Sequence, residues 1–566
     1  PPLPAEVFSL LEPRNDNMTH ASVEIYDTTL RDGTQAEGLS PSVSDKLAIA
    51  RLIDEVGVTY IEGGWPGSNP KDDEFFGRAQ TELHLRRAAL VAFGSTCRAG
   101  MAAGEDPQLL RLLAAGTDVV CIVGKSWDHH VTDALRVDLS EALRMVADSV
   151  AFLVAAGRRV FFDAEHFFDG YLANPGFATA VLQAAADAGA ERLILCDTNG
   201  GTLPERAQAT IRDTATMLTD TAIGAHFHND AGCAVANSLA AVAAGVRQIQ
   251  GCMNGYGERT GNADLCSVIP NLVVKMGLDV VPAESLARLA PLAHHIAAIM
   301  NVPIDPRHPY VGASAFAHKA GLHTSGLARL PHAYEHVEPA RVGNTARMLV
   351  SELMGRSTVL SIARHRGWDI DGESAQAVVD RVKELEHRGY YYEAADGSFE
   401  LLVRNTQGWS QGWFEVRSFR VAVEQRDDGE VMAEATIVLT IDAERVAATR
   451  RGDGPLNALD RALKAALAAA YPDVETIRLI DYRVQDLDVS EGTAARVRVL
   501  MQCSDGRSTW GTVGVHSNII EASWEALVDA LVIGLLRIHE EQETKPSPAD
   551  SHPPTGDRRS VAVSKW

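Results

Sequence analysis

The chain is poor in cysteine, carries no excess of positive charge and has no long apolar run. Its seven cysteines are scattered without a CxxC pair, which indicates reduced core thiols and a cytoplasmic protein. With 52 basic against 75 acidic residues, the net charge of -23 argues against a nucleic-acid partner or an anionic membrane. No apolar stretch is long enough to span a bilayer, and the N-terminus lacks a signal-peptide pattern. Since the chain opens on Pro1, we take Met18 as a candidate native start.

A chain of 566 residues is too long for one hydrophobic core, so several domains are expected. Residues 1–20 predict a flexible N-terminus. Over residues 21–284, short runs rich in valine, isoleucine and phenylalanine alternate with alanine- and leucine-rich helical segments. Their spacing of about 30 residues predicts an α/β fold, a (β/α)8 TIM barrel. The eight predicted strands are Val23–Thr29, Thr59–Gly63, Leu90–Gly94, Val119–Val123, Arg159–Glu165, Arg192–Asp197, Ile223–His228 and Gln248–Met253.

Three further regions follow the predicted barrel. Residues 285–412 are expected to form helical linker subdomains. Residues 413–540 read as two successive strand-then-helix units, which predicts an α+β C-terminal domain with an internal pseudo-repeat. Residues 541–566 are rich in proline, serine and charge, which predicts a disordered tail.

Polar side chains collect where the predicted barrel strands end. In a TIM barrel these C-terminal ends form the face that carries the site. Arg31 and Asp32 follow the first strand, Glu165 ends the fifth and Thr198 follows the sixth. A surface ion pair would also explain Arg31 and Asp32 taken alone, and Glu165 would also serve as an ordinary polar strand end. Because six of the eight strands end in this way, a functional site is the favoured interpretation.

Two histidines on the seventh strand point to a metal. His226 and His228 are two residues apart, so both imidazoles lie on one face of the strand. With Asp32 across the mouth they predict a divalent ion, and Asn262 is a candidate fourth ligand. Such a set leaves positions for substrate and water, as a Lewis-acid site requires. The same triad serves non-haem iron oxygenases, so the triad alone leaves the chemistry open.

Three motifs carry a resemblance to a known superfamily. They are "DTTLRDGTQ" from Asp27, "FHNDAGCAVANSLAAVAAG" from Phe227 and "NGYGERTGNADL" from Asn254. The chain, over about residues 23 to 540, resembles the DRE–TIM metallolyases. More narrowly, it resembles the α-isopropylmalate, homocitrate and citramalate synthases. The stretch "IEGGWPGSNPKD" at 61–72 looks most like a citramalate synthase branch.

The resemblance implies a reaction and the residues that perform it. The reaction is the condensation of acetyl-CoA with pyruvate and water to (R)-citramalate and CoA, a step toward isoleucine. The implied cofactor is Mn²⁺ or Mg²⁺, with Zn²⁺ as a further candidate. Arg31 would bind substrate and stabilise the alkoxide, and Thr198 would bind the carboxylate. His323, together with Glu165 and Tyr334, would remove the methyl proton. For His323, the residue pattern alone leaves a solvated helix position equally open.

The C-terminal segments "GDGPLNALDRAL" and "GVHSNIIEASWEALVDAL" resemble the regulatory domain of these synthases. They imply a homodimer or higher homo-oligomer with an amino-acid effector, or else a plain dimerisation domain. Three other functions stay open: an isopropylmalate or homocitrate synthase using another 2-oxo acid, a lyase of the same superfamily, and a catalytically silent effector-binding assembly protein. Intact Arg31, Asp32, His226 and His228 argue against the silent protein.

Overall fold

The computed structural model describes residues 23–218, 221–319, 330, 334–425, 427, 429–487, 492 and 495–544. The chain divides into two compact units, one running to residue 317 and including 335–347, the other containing 318–334 and the chain from 348 onward. The predicted flexible N-terminus and His323 lie outside the described residues. Among the helices within the described ranges, none is long and apolar enough to cross a membrane.

The first unit contains a closed barrel of eight parallel strands, which confirms the predicted TIM barrel. The first and last strands close it, with Ile25 opposite Ile249. The predicted strand ends were too long in places: Thr28 and Thr29 already belong to a turn, and His228 lies one residue past its strand. The strands are β1 Glu24–Asp27, β2 Tyr60–Gly64, β3 Ala89–Ser95, β4 Val119–Lys125, β5 Arg159–Glu165, β6 Arg192–Asp197, β7 Ala222–Phe227 and β8 Gln248–Gly251.

Helices alternate with the strands and bury their apolar faces against the outside of the barrel. The first one begins at a capping box, in which Ser42 and Asp45 bond each other's backbone N–H groups. It ends at Gly57, whose φ of 91° favours glycine. The helices are α1 Val43–Val56, α2 Pro70–Glu82, α3 Pro107–Ala114, α4 Leu139–Ala155, α5 Phe167–Ala173, α6 Pro175–Asp187, α7 Pro204–Met217, α8 Ala234–Ala243, α9 Leu265–Pro270, α10 Ala283–Leu286 and α11 Leu289–Met300.

The interior of the barrel is filled by side chains rather than open. Tyr26, Tyr60 and Phe161 are almost fully buried inside it, and the last two rings meet edge to face at 5.1 Å. At the end where the strands begin, Arg192 forms two hydrogen bonds with Glu24, of 3.0 and 3.1 Å. This packing fills the end of the barrel where the strands begin.

The second unit combines helices with two antiparallel three-stranded sheets. Each sheet is followed by a helix that packs on it, as the predicted pseudo-repeat requires. The last helix continues to Thr544, four residues into the predicted tail; the rest of that tail lies outside the described residues, and the domain boundaries stay predictions. Two short strands, β9 Ala317–His318 and β10 Arg347–Met348, each have one residue in either unit. The elements of the second unit are α12 Arg356–Arg366, α13 Gly372–His387, α14 Asp396–Thr406, β11 Glu415–Gln425, β12 Val431–Ile441, β13 Glu444–Gly452, α15 Pro455–Leu467, β14 Arg478–Asp486, β15 Val497–Ser504, β16 Thr509–His516 and α16 Ile519–Thr544.

Candidate metal centre

A cavity of about 630 Å³ opens at the end of the barrel where the strands finish. Most of the predicted site residues line it together. They are Arg31, Asp32, Glu165, Thr198, His226 and His228. Residues from four different strand ends therefore line one cavity. This is expected, because the C-terminal ends of the strands lie on one face of the barrel.

Asp32, His226 and His228 form the centre of the cavity floor. The Asp32 Oδ2 atom lies 3.3 Å from Nε2 of His226 and 3.8 Å from Nε2 of His228. One ligand atom from each residue lies within 4.8 Å of the others, and all three side chains are buried. The turn after β1 fixes Asp32, because the N–H of Gly33 donates to the Thr28 carbonyl oxygen at 3.0 Å. This donor set suits a divalent cation.

Asn262 lies next to this triad, and its side-chain oxygen is buried. Its backbone forms an isolated bridge with His228, and its Nδ2 donates to the Tyr256 carbonyl oxygen at 3.0 Å. Among the described residues, no hydrogen-bond donor reaches its Oδ1. A Cβ on Gly257 would lie 2.2 Å from Nδ2, so this loop can approach Asn262 only with glycine there. A buried amide oxygen left in this state is costly unless a cation binds it.

The charges around the triad also fit a divalent ion. Asp32 and Asp163 are buried carboxylates of the cavity, and Glu62 beneath them is balanced by Arg31. Burial raises the pKa of Asp163 above its usual value. For Asp32, burial acts in the same direction, but Arg31 and His226 outweigh it and hold its pKa below the usual range. A cation bound between them would offset the repulsion of these carboxylates.

The two histidines are in different electrostatic states. Burial, together with the neighbouring His226, lowers the pKa of His228 to about 4, so its imidazole is neutral at pH 7. Burial also acts to lower the pKa of His226, but the contact with Asp32 outweighs it and raises that pKa. A metal ion bound by His226 and Asp32 would have to displace the proton that this contact favours, since metal ligation requires neutral imidazole.

Arg31 is held beside the triad by contacts that the sequence motif did not reveal. Its Nε donates to Glu62 Oε1 at 2.5 Å, and Tyr26 donates to the other oxygen of Glu62 at 2.6 Å. The guanidinium also stacks 3.8 Å from the ring centroid of Phe93. Glu62 carries no motif of its own in the sequence and lies in β2. Its position makes it the buried counter-ion that fixes the orientation of Arg31.

The other predicted site residues do not belong to the triad. Glu165 forms an ion pair with Lys125 at the cavity wall, and Thr198 Oγ1 accepts the backbone N–H of His166 at 2.9 Å. Tyr334 belongs to the second unit and is 45% exposed. His323 lies outside the described residues. The catalytic roles of His323 and Tyr334 therefore stay predictions.

Family models match successive parts of the chain. Residues 22–294 match the HMGL-like model, residues 310–390 the homocitrate synthase post-HMGL domain-like model, and residues 393–534 the LeuA allosteric (dimerisation) domain. The fold and the buried Asp-His-His site thus define an HMGL-like barrel protein with an appended LeuA-type domain. That domain indicates a homo-oligomer.

Individual relatives identify the family to which the chain belongs within this class. The chain is 51% identical, over 91% of its length, to (R)-citramalate synthase of Streptomyces coelicolor, of which it covers 97%. It is 48% identical, over 92% of its length, to (R)-citramalate synthase of Aquifex aeolicus, of which it covers 99%. The corresponding Sulfolobus acidocaldarius enzyme is 42% identical over 90% of the chain, which covers 96% of it. The chain belongs to the (R)-citramalate synthase family.

Proposed function

We propose that the chain condenses acetyl-CoA with pyruvate and water to give (R)-citramalate and CoA. The observation that carries this proposal is the placement of Arg31 beside the Asp32, His226 and His228 triad in one small cavity, in a chain of this family. Release of CoA thiol from acetyl-CoA in the presence of pyruvate tests it. Thiol release that depends on a 2-oxo acid distinguishes a synthase from a lyase and from a silent assembly protein. Faster release with pyruvate than with a bulkier 2-oxo acid distinguishes this synthase from the related synthases.

The metal is proposed to be held by Asp32, His226, His228 and Asn262. Mn²⁺ or Mg²⁺ is favoured over Zn²⁺ because two of these four ligands bind through oxygen. When bound, a divalent ion would act as a Lewis acid toward the oxygens of the 2-oxo acid. Asn262 supports this assignment because its Oδ1 is buried without a hydrogen-bond donor among the described residues.

Arg31 is proposed to stabilise the charge that develops during carbon–carbon bond formation. As the methyl carbon of acetyl-CoA attacks the keto carbon of pyruvate, the electron pair of the C=O bond moves onto its oxygen. A guanidinium already held by Glu62 and Phe93 needs no reorganisation to donate to this alkoxide. Thr198, also in the cavity lining, is proposed to hydrogen-bond the substrate carboxylate.

A base must remove one proton from the acetyl methyl group before this bond forms. Glu165 is the candidate in the barrel, where it lines the cavity and forms an ion pair with Lys125. His323 and Tyr334 are proposed to assist. The alkoxide then takes up a proton, and water hydrolyses the thioester, which releases CoA and makes the condensation irreversible.

Trp65 is proposed to limit the size of the 2-oxo acid. Its ring lines the cavity and meets Phe93 edge to face at 5.2 Å, while its backbone N–H donates to Asp72 Oδ2 at 2.9 Å. Trp65→Ala would open space for a branched side chain. We expect the ratio of kcat/KM for pyruvate over 2-oxoisovalerate to fall by about tenfold or more, since one methylene in a pocket is worth roughly 10–200-fold.

The matched control is Trp127→Ala. Trp127 is another half-buried tryptophan of the same barrel, but it lies outside the cavity lining. Its removal should leave the ratio between the two 2-oxo acids unchanged. An unaltered ratio in Trp65→Ala would refute the proposed role of Trp65, and a wild-type preference for 2-oxoisovalerate would refute the choice of pyruvate.

Isoleucine is the proposed effector of the C-terminal domain. We expect saturating isoleucine, but not leucine, to lower kcat/KM for pyruvate by about 5- to 150-fold, the usual range of allosteric coupling. The measurement belongs on the full chain, because Val513 and Val515 of β16 share a core with Phe399 of α14, and removing the last sheet would expose that core. Inhibition by leucine instead would contradict the assignment.

A further inference from the structure

A buried hydrogen-bond network continues from the candidate metal centre into the barrel. His226 Nδ1 lies 3.0 Å from Gln250 Oε1, and Gln250 Nε2 donates to Asp163 Oδ1 at 3.1 Å. Cys121 Sγ donates to the same oxygen at 3.2 Å. Gln250 is completely buried and Asp163 and His226 nearly so. The network joins strands β4, β5, β7 and β8, and none of the motifs that pointed to the metal contains Gln250.

We infer that Gln250, oriented by Asp163, is a positioning residue that fixes the tautomer and ring orientation of His226 for metal binding. The inference rests on the proposed metal centre and deepens it. Asp163 Oδ1 accepts from both Cys121 Sγ and Gln250 Nε2, so the amide nitrogen of Gln250 faces Asp163. The amide oxygen then faces His226 and can only accept, which requires the ring proton to be on Nδ1.

The Nε2 atom of His226 then faces Asp32, 3.3 Å away, and once its proton is displaced the Nε2 lone pair is directed to the place where the metal would lie. Metal-binding histidines in general donate their second N–H to an oxygen that holds the ring and makes it a better ligand. His228 differs, because its buried Nδ1 has no hydrogen-bond partner in the part of the chain that the structure describes. His226 is thus the ligand whose geometry is set by the protein before metal arrives.

The competing explanation is that Gln250 simply fills the core, and the same strand offers a control for it. Gln248 lies two residues earlier on β8, faces the same interior and is also completely buried. It donates to Glu24 at 3.1 Å, at the opposite end of the barrel. Gln248→Leu and Gln250→Leu therefore each remove one buried glutamine side chain from β8. Of the two glutamines, only Gln250 contacts a proposed metal ligand.

The test is the Kd of Mn²⁺ for metal-depleted full-length protein, measured by titration calorimetry without substrate. Gln250→Leu should bind Mn²⁺ about 10- to 100-fold more weakly, the usual effect of losing a partner of a ligating histidine. Gln248→Leu should retain the wild-type Kd. The exchange variant Asp163→Asn/Gln250→Glu should recover most of the affinity, because Glu accepts from His226 Nδ1 and Asn donates to that Glu.

Each result bears on a different claim. An unchanged Kd in Gln250→Leu overturns the positioning role, and so does an equal loss of affinity in both leucine variants, which would mean general damage to the core. A Gln250→Leu loss that the exchange variant does not recover overturns the role of Asp163. If wild type fails to bind Mn²⁺, Mg²⁺ or Zn²⁺ at all, the proposed metal centre itself is wrong, independently of Gln250.

Discussion

Arg31→Lys is expected to lower kcat by about 10²-fold or more, the cost of removing one preorganised donor to a developing oxyanion. Lysine keeps the positive charge but loses the planar fork, so it cannot bond Glu62 Oε1 through Nε and still present N–H groups to the cavity. Because Arg31 is proposed to act on charge that exists only in the transition state, KM for pyruvate and the Kd of Mn²⁺ should change little. Steady-state kinetics and calorimetry measure these quantities.

Arg192→Lys provides the matched control for this variant. Arg192 is also an arginine that binds a glutamate, with Glu24 at 3.0 and 3.1 Å, but it lies where the barrel strands begin. Loss of the fork there should lower stability without lowering kcat. A near-normal kcat in Arg31→Lys with a raised KM would mean that Arg31 only binds substrate.

The barrel and much of the site were predictable because their signals are local. Alternating strand and helix segments carry their own hydrophobic periods, and a TIM barrel places every strand end on one face. The spacing of His226 and His228 fixes their shared direction within a single strand. Asp32 needed only the further assumption that the ends of β1 and β7 lie on the same rim, and the structure brings the three together.

The supporting contacts were not predictable, because they join residues far apart in sequence that carry no distinctive local pattern. Glu62 contacts Arg31 from the neighbouring strand, and Gln250 contacts Asp163 across the barrel interior. A buried glutamine in a strand reads as an ordinary polar residue until its partners are known. Strand ends were also overestimated, since Thr28 and Thr29 have high strand propensity but lie in the turn that carries Arg31 and Asp32.

Removal of the metal is expected to have the largest effect of all. Chelation should lower kcat by about 10³-fold or more, since a Lewis acid stabilises the transition state by several kcal/mol. Added Mn²⁺ or Mg²⁺ should restore it. His228→Ala should lose turnover and metal together, because it removes one of the two imidazole ligands and leaves only Asp32, His226 and Asn262 to hold the ion. Metal content after desalting and thiol release measure the two effects.

His294→Ala separates this effect from the general loss of a histidine. His294 is an exposed histidine of α11 in the same unit, and its Nε2 lies 2.9 Å from the Val311 carbonyl oxygen. Its replacement should leave metal content and turnover intact. Turnover that persists in chelator, or a His228→Ala protein that keeps its metal and loses only rate, would contradict the ligand role of His228. The His228 imidazole is already neutral at pH 7 and has no proton to displace, whereas the contact with Asp32 raises the pKa of His226. Mn²⁺ affinity should therefore rise with pH as His226 loses its proton, and titration calorimetry at several pH values measures this rise.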